Sequence, residues 1–174
     1  MVAARFAEAL NAQIGHELAA HSQYLACAIH YEGQTMPRMA AFFYSQALEE
    51  REHAMMMVQY LLDTDAEVVI PAVPAPVNGF EDVVAPVRLA LAQEKTVTAQ
   101  INDLMRIARE ELDFASDQFM QWFVKEQVEE VSTMSDLLAV ATRNADDVDE
   151  IEEWVARETG GESGDATAPP VAGA

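Results

Sequence analysis

Four glutamates interrupt apolar stripes in this chain, and each does so at the same place in its stripe. Leu10 and Tyr24 stand seven residues either side of Glu17, and Phe43 and Met57 flank Glu50 in the same way. Val87 and Ile101 flank Glu94, and Phe123 and Leu137 flank Glu130, again at seven. Seven residues are two helical turns, so each carboxylate shares a face with the apolar residues above and below it. Burying one unpartnered charge costs several kcal/mol, and four together also repel one another. Basic residues near these positions, such as Arg51 and Lys125, lie off the apolar face. Two divalent cations carry four positive charges, which matches four glutamates.

His53 follows Glu50 at i+3, so both project from one face. A Glu-x-x-His pair is a ligand pattern of di-iron carboxylate bundles. One imidazole among hard oxygen ligands suits iron or manganese better than calcium or magnesium. Gln127 precedes Glu130 by three, so Gln-x-x-Glu stands where a second Glu-x-x-His would make the two metal positions alike. Its amide is either a weak ligand or a donor to one. Taken singly, a glutamate on a stripe or a Glu-x-x-His is as readily structural as functional. Four carboxylates at matched depth, one per stripe, are hard to explain as surface. Glu49 adjoins Glu50, and Glu126 and Glu129 flank Glu130. These acids are either a third cation site or a solvated edge. Tyr24 can hydrogen-bond a ligand or supply an electron, or it is a core tyrosine with a satisfied hydroxyl.

Long helices must carry these residues. Apolar residues recur at helical spacing over about 2–31, 37–63, 82–110 and 113–143. Segments near 30 residues are roughly 40 Å long at about 1.5 Å per residue, and four of matched length predict a bundle. Short connections make segments one and two, and three and four, antiparallel neighbours. The connection over Thr64 to Glu81 holds Pro71, Pro74 and Pro76, so it is not helical, and it is long enough to run the length of the bundle. The expected fold is therefore all-α, a four-helix bundle with the long middle crossover of ferritin-like topology. A short fifth helix is predicted over about 146–158, with an acidic first turn and Ile151, Trp154 and Val155 as its apolar face. The sequence divides into a bundle over 1–159 and a tail over 160–174 that reads as disordered.

The 174 residues carry 30 acidic and 10 basic side chains, a formal net charge of -20. That charge repels nucleic acid and anionic membrane and attracts cations. The lone cysteine, Cys27, excludes an internal disulfide and cysteine-based metal motifs, and its apolar flanks predict a buried thiol. The N-terminus lacks the continuous apolar run of a signal peptide or membrane span, so a cytoplasmic protein is expected.

With these motifs together, the chain resembles the bacterial non-haem ferritins, most closely the actinobacterial branch. The resemblance rests on Glu17 with Tyr24, on Leu48-Glu49-Glu50-Arg51-Glu52-His53-Ala54, on Gln93-Glu94, and on Gln121-Trp122-Phe123 followed by Glu126-Gln127-Val128-Glu129-Glu130. Phe43-Tyr44-Ser45-Gln46-Ala47 and Gln118-Phe119-Met120 point to the branch. The resemblance implies one iron on Glu17, Glu50 and His53. It implies a second on Glu50, Glu94 and Glu130 with Gln127 close by, and a flanking site on Glu49, Glu126, Glu129 and Glu130. It also implies a homo-oligomeric shell of 24 subunits, oxidation of Fe(II) by dioxygen or peroxide, and storage of ferric mineral. Haem is not expected: bacterioferritins bind it through a methionine two before the helix-B histidine, where this chain has Arg51. The rival readings are a di-iron oxygenase or peroxidase acting on another substrate, and a metal-free structural bundle. His16, His21 and His30 have no matching role and are expected at surface or core-edge positions.

Overall fold

Helix N-termini carry orphan amides that need acceptors, and the acceptors here decide where each helix begins. The computed structural model describes residues 2–158 and 165–173. Among them are five helices: α1 (Ala4–Gly33), α2 (Pro37–Asp63), α3 (Ala85–Glu110), α4 (Phe114–Arg143) and α5 (Val148–Glu158). Asp113 caps α4, accepting Ser116 N at 3.2 Å. Its other oxygen accepts Ala3 N at 2.8 Å, tying the start of α1 to the start of α4. Asp82 Oδ1 accepts Val84 N at 2.9 Å and Ala85 N at 2.7 Å. That grip holds 81–84 in bends, so α3 begins at Ala85 rather than at Asp82. α2 opens on Pro37, suited to the first turn, and its cap comes from α5. Glu152 accepts Arg38 N and Met39 N, each at 2.8 Å, at the positive end of the α2 dipole.

The first three helices close alike. Thr35, Asp65 and Leu112 take left-handed φ of 61°, 55° and 56°. The next amide in each case returns to a carbonyl five residues back: Met36 to Tyr31 at 3.0 Å, Ala66 to Leu61 at 2.9 Å, and Asp113 to Ala108 at 2.8 Å. Gly33 is the last residue of α1, two before the left-handed Thr35.

α1 pairs with α2, α3 with α4, and α1 also packs on α3. The crossover lies along one stripe of α1. Asn11 grips it from both sides of its amide, donating to Glu67 O at 2.9 Å and accepting Val69 N at 2.7 Å. Gln23 does the same to the two backbone groups of Val77, at 2.9 and 2.8 Å. Between them Gly15 lets Pro71 press onto the helix; a Cβ there would lie 2.4 Å from Pro71 Cγ. By carrying the chain back along α1, the crossover makes α2 and α3 parallel, the ferritin-like arrangement. No described helix is long and apolar enough to cross a membrane.

The core is two apolar clusters. One end holds Tyr31, Met39, Phe43, Val87 and Leu137, with Ile151 and Val155 of α5 docked on it. The other holds Phe6, Leu10, Met57, Leu61, Ile101 and Phe123. Each such buried side chain contributes about 1.5–3 kcal/mol. Cys27 is buried with the first cluster, as expected. The tail corrects an expectation. Although read as disordered from 160, its described part packs Ala168, Val171 and Ala172 against the second cluster, and Ala172 N bonds Met55 O at 3.2 Å. Asp165 accepts Trp122 Nε1 and Lys125 Nζ, both at 3.2 Å. Small apolar residues and one aspartate suffice because α2 and α4 offer matching partners. Positions 159–164 lie outside the described residues.

Candidate metal centre

Glu17 of α1, Glu50 and His53 of α2, Glu94 of α3, and Gln127 and Glu130 of α4 lie at mid-helix. All six are buried, none more than 5% exposed. They form a polar layer between the two apolar clusters, as the seven-residue flanks predict.

Partners within the layer leave specific atoms open. Gln13, one turn before Glu17, donates to Glu17 Oε1 at 2.8 Å and to Gln100 Oε1 at 3.2 Å. Glu17 Oε2 and His53 Nε2 are buried with no hydrogen-bond partner. Glu17, Glu50 and His53 each bring a ligand atom within 4.8 Å of the others, and His53 Nδ1 lies 3.5 Å from Glu50 Oε2. Tyr24, two turns from Glu17, donates its hydroxyl to Glu94 Oε1. Gln127 Nε2 approaches Glu94 Oε2 at 3.4 Å, and Thr98 bonds Gln127 Oε1 at 2.8 Å.

The electrostatics follow from burial. Desolvation, then the charges of Glu94, Glu17 and Glu130, holds the Glu50 carboxyl well above its usual range. Desolvation also raises Glu94, against the lowering influence of the Tyr24 hydroxyl. Tyr24 stays protonated, pushed up by burial and by the neighbouring carboxylates. Burial lowers His53, although Glu17 and Glu52 pull the other way, so its imidazole is neutral and has a lone pair to give. Crowded carboxyls and a neutral imidazole around unpartnered ligand atoms are what a multivalent cation would relieve.

A family model described as a ferritin-like domain matches residues 7–144. The chain belongs to that family. It is 48% identical over 169 residues to a protein of Mycolicibacterium smegmatis named ferritin BfrB, covering 97% of this chain and 93% of that one. It is 36% identical over 147 residues to a bacterial non-heme ferritin of Staphylococcus aureus, covering 84% and 89%. Among solved structures, an open pore ferritin from Archaeoglobus fulgidus superposes with a TM-score of 0.88 at 26% identity, covering 93% of this chain and all of that one.

In this ferritin-like chain the flanking acids divide. Glu49 and Glu126 join His53 in a second group whose ligand atoms lie within 4.8 Å of one another. Glu129 is exposed and faces Lys125 Nζ at 3.7 Å. It lines, with Gln46, Glu49, Glu126 and Glu130, a cavity of about 290 Å³. Gln46 Nε2 donates to Glu49 Oε2 at 2.8 Å while its Oε1 is buried and unpartnered. Trp122 packs edge-on against His53, with ring centroids 5.6 Å apart. His16 is exposed. His21 Nδ1 meets Ala47 O at 2.6 Å, and His30 packs on Phe80 and Tyr31. The sequence reading missed Gln13, Gln46 and Thr98. Each stands three or four residues from a site glutamate, and that spacing was the available signal.

Proposed function

We propose that this protein stores iron, oxidising Fe(II) to Fe(III) at a two-iron site inside each subunit and holding the ferric mineral within a shell of its own copies. The buried layer of ligand-type side chains, with Glu17 Oε2 and His53 Nε2 lacking partners, carries the reading. Glu17, Glu50 and His53 bind the first Fe(II). Glu50 also reaches the second, which Glu94 and Glu130 hold with Gln127 beside them. Glu49 and Glu126, with Glu129 at the rim, offer a third position. Iron is substrate here, and each Fe(II) gives up one electron, so two ions together supply the two electrons that dioxygen or peroxide takes.

The chain's own groups prepare that step. Neutral His53 needs no deprotonation to bind. Glu50, its carboxyl held well above the usual range, releases its proton as the cations arrive, so uptake weakens in acid. Tyr24 orients Glu94 through its hydroxyl and stands close enough to the site to give an electron. Resemblance to proteins named ferritin supports the storage purpose, the 24-subunit shell and a cytoplasmic location, where Cys27 stays reduced. Haem has no part in the reading, since Arg51 occupies the position of the haem methionine and α4 carries Gln127-x-x-Glu130. An oxygenase would want an apolar substrate pocket beside the metals, whereas the cavity there is ringed by Glu49, Glu126, Glu129 and Glu130.

Aerobic addition of Fe(II) to assembled shells tests this. Ferric-oxo absorbance should rise in the wild type and fall away in Glu50→Ala with His53→Ala. Undiminished oxidation in that double variant, or a wild type that elutes as a monomer, rejects the proposal.

A further inference from the structure

Thr98 stands one turn after Glu94, and its hydroxyl meets two acceptors at once. Oγ1 lies 2.8 Å from the backbone oxygen of Glu94 and 2.8 Å from Gln127 Oε1. A hydroxyl has one proton to give, so it can donate to only one of them; given to Gln127, it leaves Glu94 O with its helix bond alone. Thr96, on the same helix, makes only the ordinary back-bond, to Ala92 O at 3.0 Å. The contact with Gln127 is what sets Thr98 apart. The other end of the Gln127 amide fares little better, since Nε2 reaches Glu94 Oε2 only at 3.4 Å, long for a hydrogen bond.

Turning the amide over makes both contacts hydrogen bonds at once. Nε2 then donates to Thr98 Oγ1, and Thr98 gives its own proton to Glu94 O. The turned amide sets Oε1 against Glu94 Oε2, and two oxygens at that distance repel. A cation between them reverses the sign. Two oxygens each about 2.1 Å from one ion stand about 3.0–3.4 Å apart in octahedral or tetrahedral geometry. The separation of 3.4 Å between Gln127 and Glu94 falls at the edge of that range.

We propose that Thr98 is the pivot of an amide switch at Gln127, a positioning residue for the second metal. A divalent cation beside Glu94 turns Gln127 from a donor to that carboxylate into an oxygen ligand. Thr98 makes the turned form satisfied by accepting Nε2. The inference rests on the two-iron reading above and says which atom of Gln127 serves it.

Cobalt(II) titration of assembled shells, followed by visible absorption and calorimetry, is the test. The wild type should take two ions tightly per subunit. Thr98→Val keeps the side-chain shape but leaves the turned amide without an acceptor. Its second ion should bind about tenfold more weakly, the scale of one lost buried hydrogen bond, with the first ion unchanged. Thr98→Ser should restore the wild-type isotherm. Thr98→Val with Gln127→Glu should recover the second ion, because a carboxylate offers oxygen either way round and needs no acceptor. Wild-type affinity for both ions in an assembled Thr98→Val shell overturns the switch, as does a double variant no tighter than Thr98→Val. A wild type that takes fewer than two ions overturns the two-iron reading instead.

Discussion

Replacing Glu50 by glutamine should make the metal-free shell more stable while removing its response to metal. Glu50 is 2% exposed and sits among Glu17, Glu94 and Glu130. Burial and those three charges raise its folded-state pKa above the unfolded value, so the folded chain binds more protons. Its contribution is intact below the unfolded pKa, near 4.5. It is lost as pH rises through the folded pKa. At pH 7.5 the raised pKa therefore opposes folding, by no more than about 1.36 kcal/mol for each pH unit above 4.5, about 4 kcal/mol in all. Glutamine removes the charge but brings an amide needing partners, which offsets about 1–3 kcal/mol of the relief. The net gain should be at most about 1–3 kcal/mol per subunit, at about 2–4 °C in melting temperature for each kcal/mol in a chain of this size. Calorimetry of shells held in chelator, at one scan rate and at pH 5.5 and 7.5, reads this out. The wild type should lose stability between the two pH values, and Glu50→Gln should lose less. Cobalt(II) at about a hundred times its dissociation constant should then add about 2.7 kcal/mol to the wild type and much less to the variant. A Glu50→Gln shell that melts below the wild type at pH 7.5, or gains as much from cobalt, refutes the reasoning.

Two further outcomes concern the frame. Gly15→Ala places a Cβ 2.4 Å from Pro71 Cγ. The overpacking costs about 1–3 kcal/mol, more than the helix-propensity gain of about 1 kcal/mol, so denaturant unfolding should come at lower concentration; a stabilised variant would show that the crossover yields freely. Glu152→Ala removes both hydrogen bonds that cap α2 and should cost about 1 kcal/mol, with hydrogen exchange accelerating at Arg38 and Met39; unchanged exchange there would mean the cap is idle.

The layer of Glu17, Glu50, Glu94 and Glu130 was legible because each interrupts a stripe of period near 3.6, and a stripe reports its own face. The crossover was legible through Pro71, Pro74 and Pro76, which exclude helix. What stayed hidden was set by partners distant in the chain. Glu152 caps a helix 113 residues before it, and Asp113 anchors Ala3 across 110; no local pattern announces either. The tail was misread because its composition is that of a solvated segment, while its contacts depend on Trp122, Lys125 and Met55 already being in place. Nor does any local pattern mark Thr35, two residues past the end of α1, as the left-handed residue that closes it, since that φ of 61° costs a non-glycine residue about 1–2 kcal/mol.

These observations bear on why the core is built in two halves. A bundle with hydrophobic residues at positions 17, 50, 94 and 130 would have one continuous core and no reason for its middle to repel itself. This chain instead places a layer of carboxyls between two apolar clusters that are each well packed. The clusters hold the helices together above and below, so the layer can remain electrostatically unfavourable without opening the bundle. Gln13, Tyr24 and Thr98 take up single edges of that layer, and Glu17 Oε2 and His53 Nε2 keep no partner. The strain sits on the atoms a cation would bind. A chain that satisfied them internally would gain stability and lose affinity, the exchange that Glu50→Gln is expected to display.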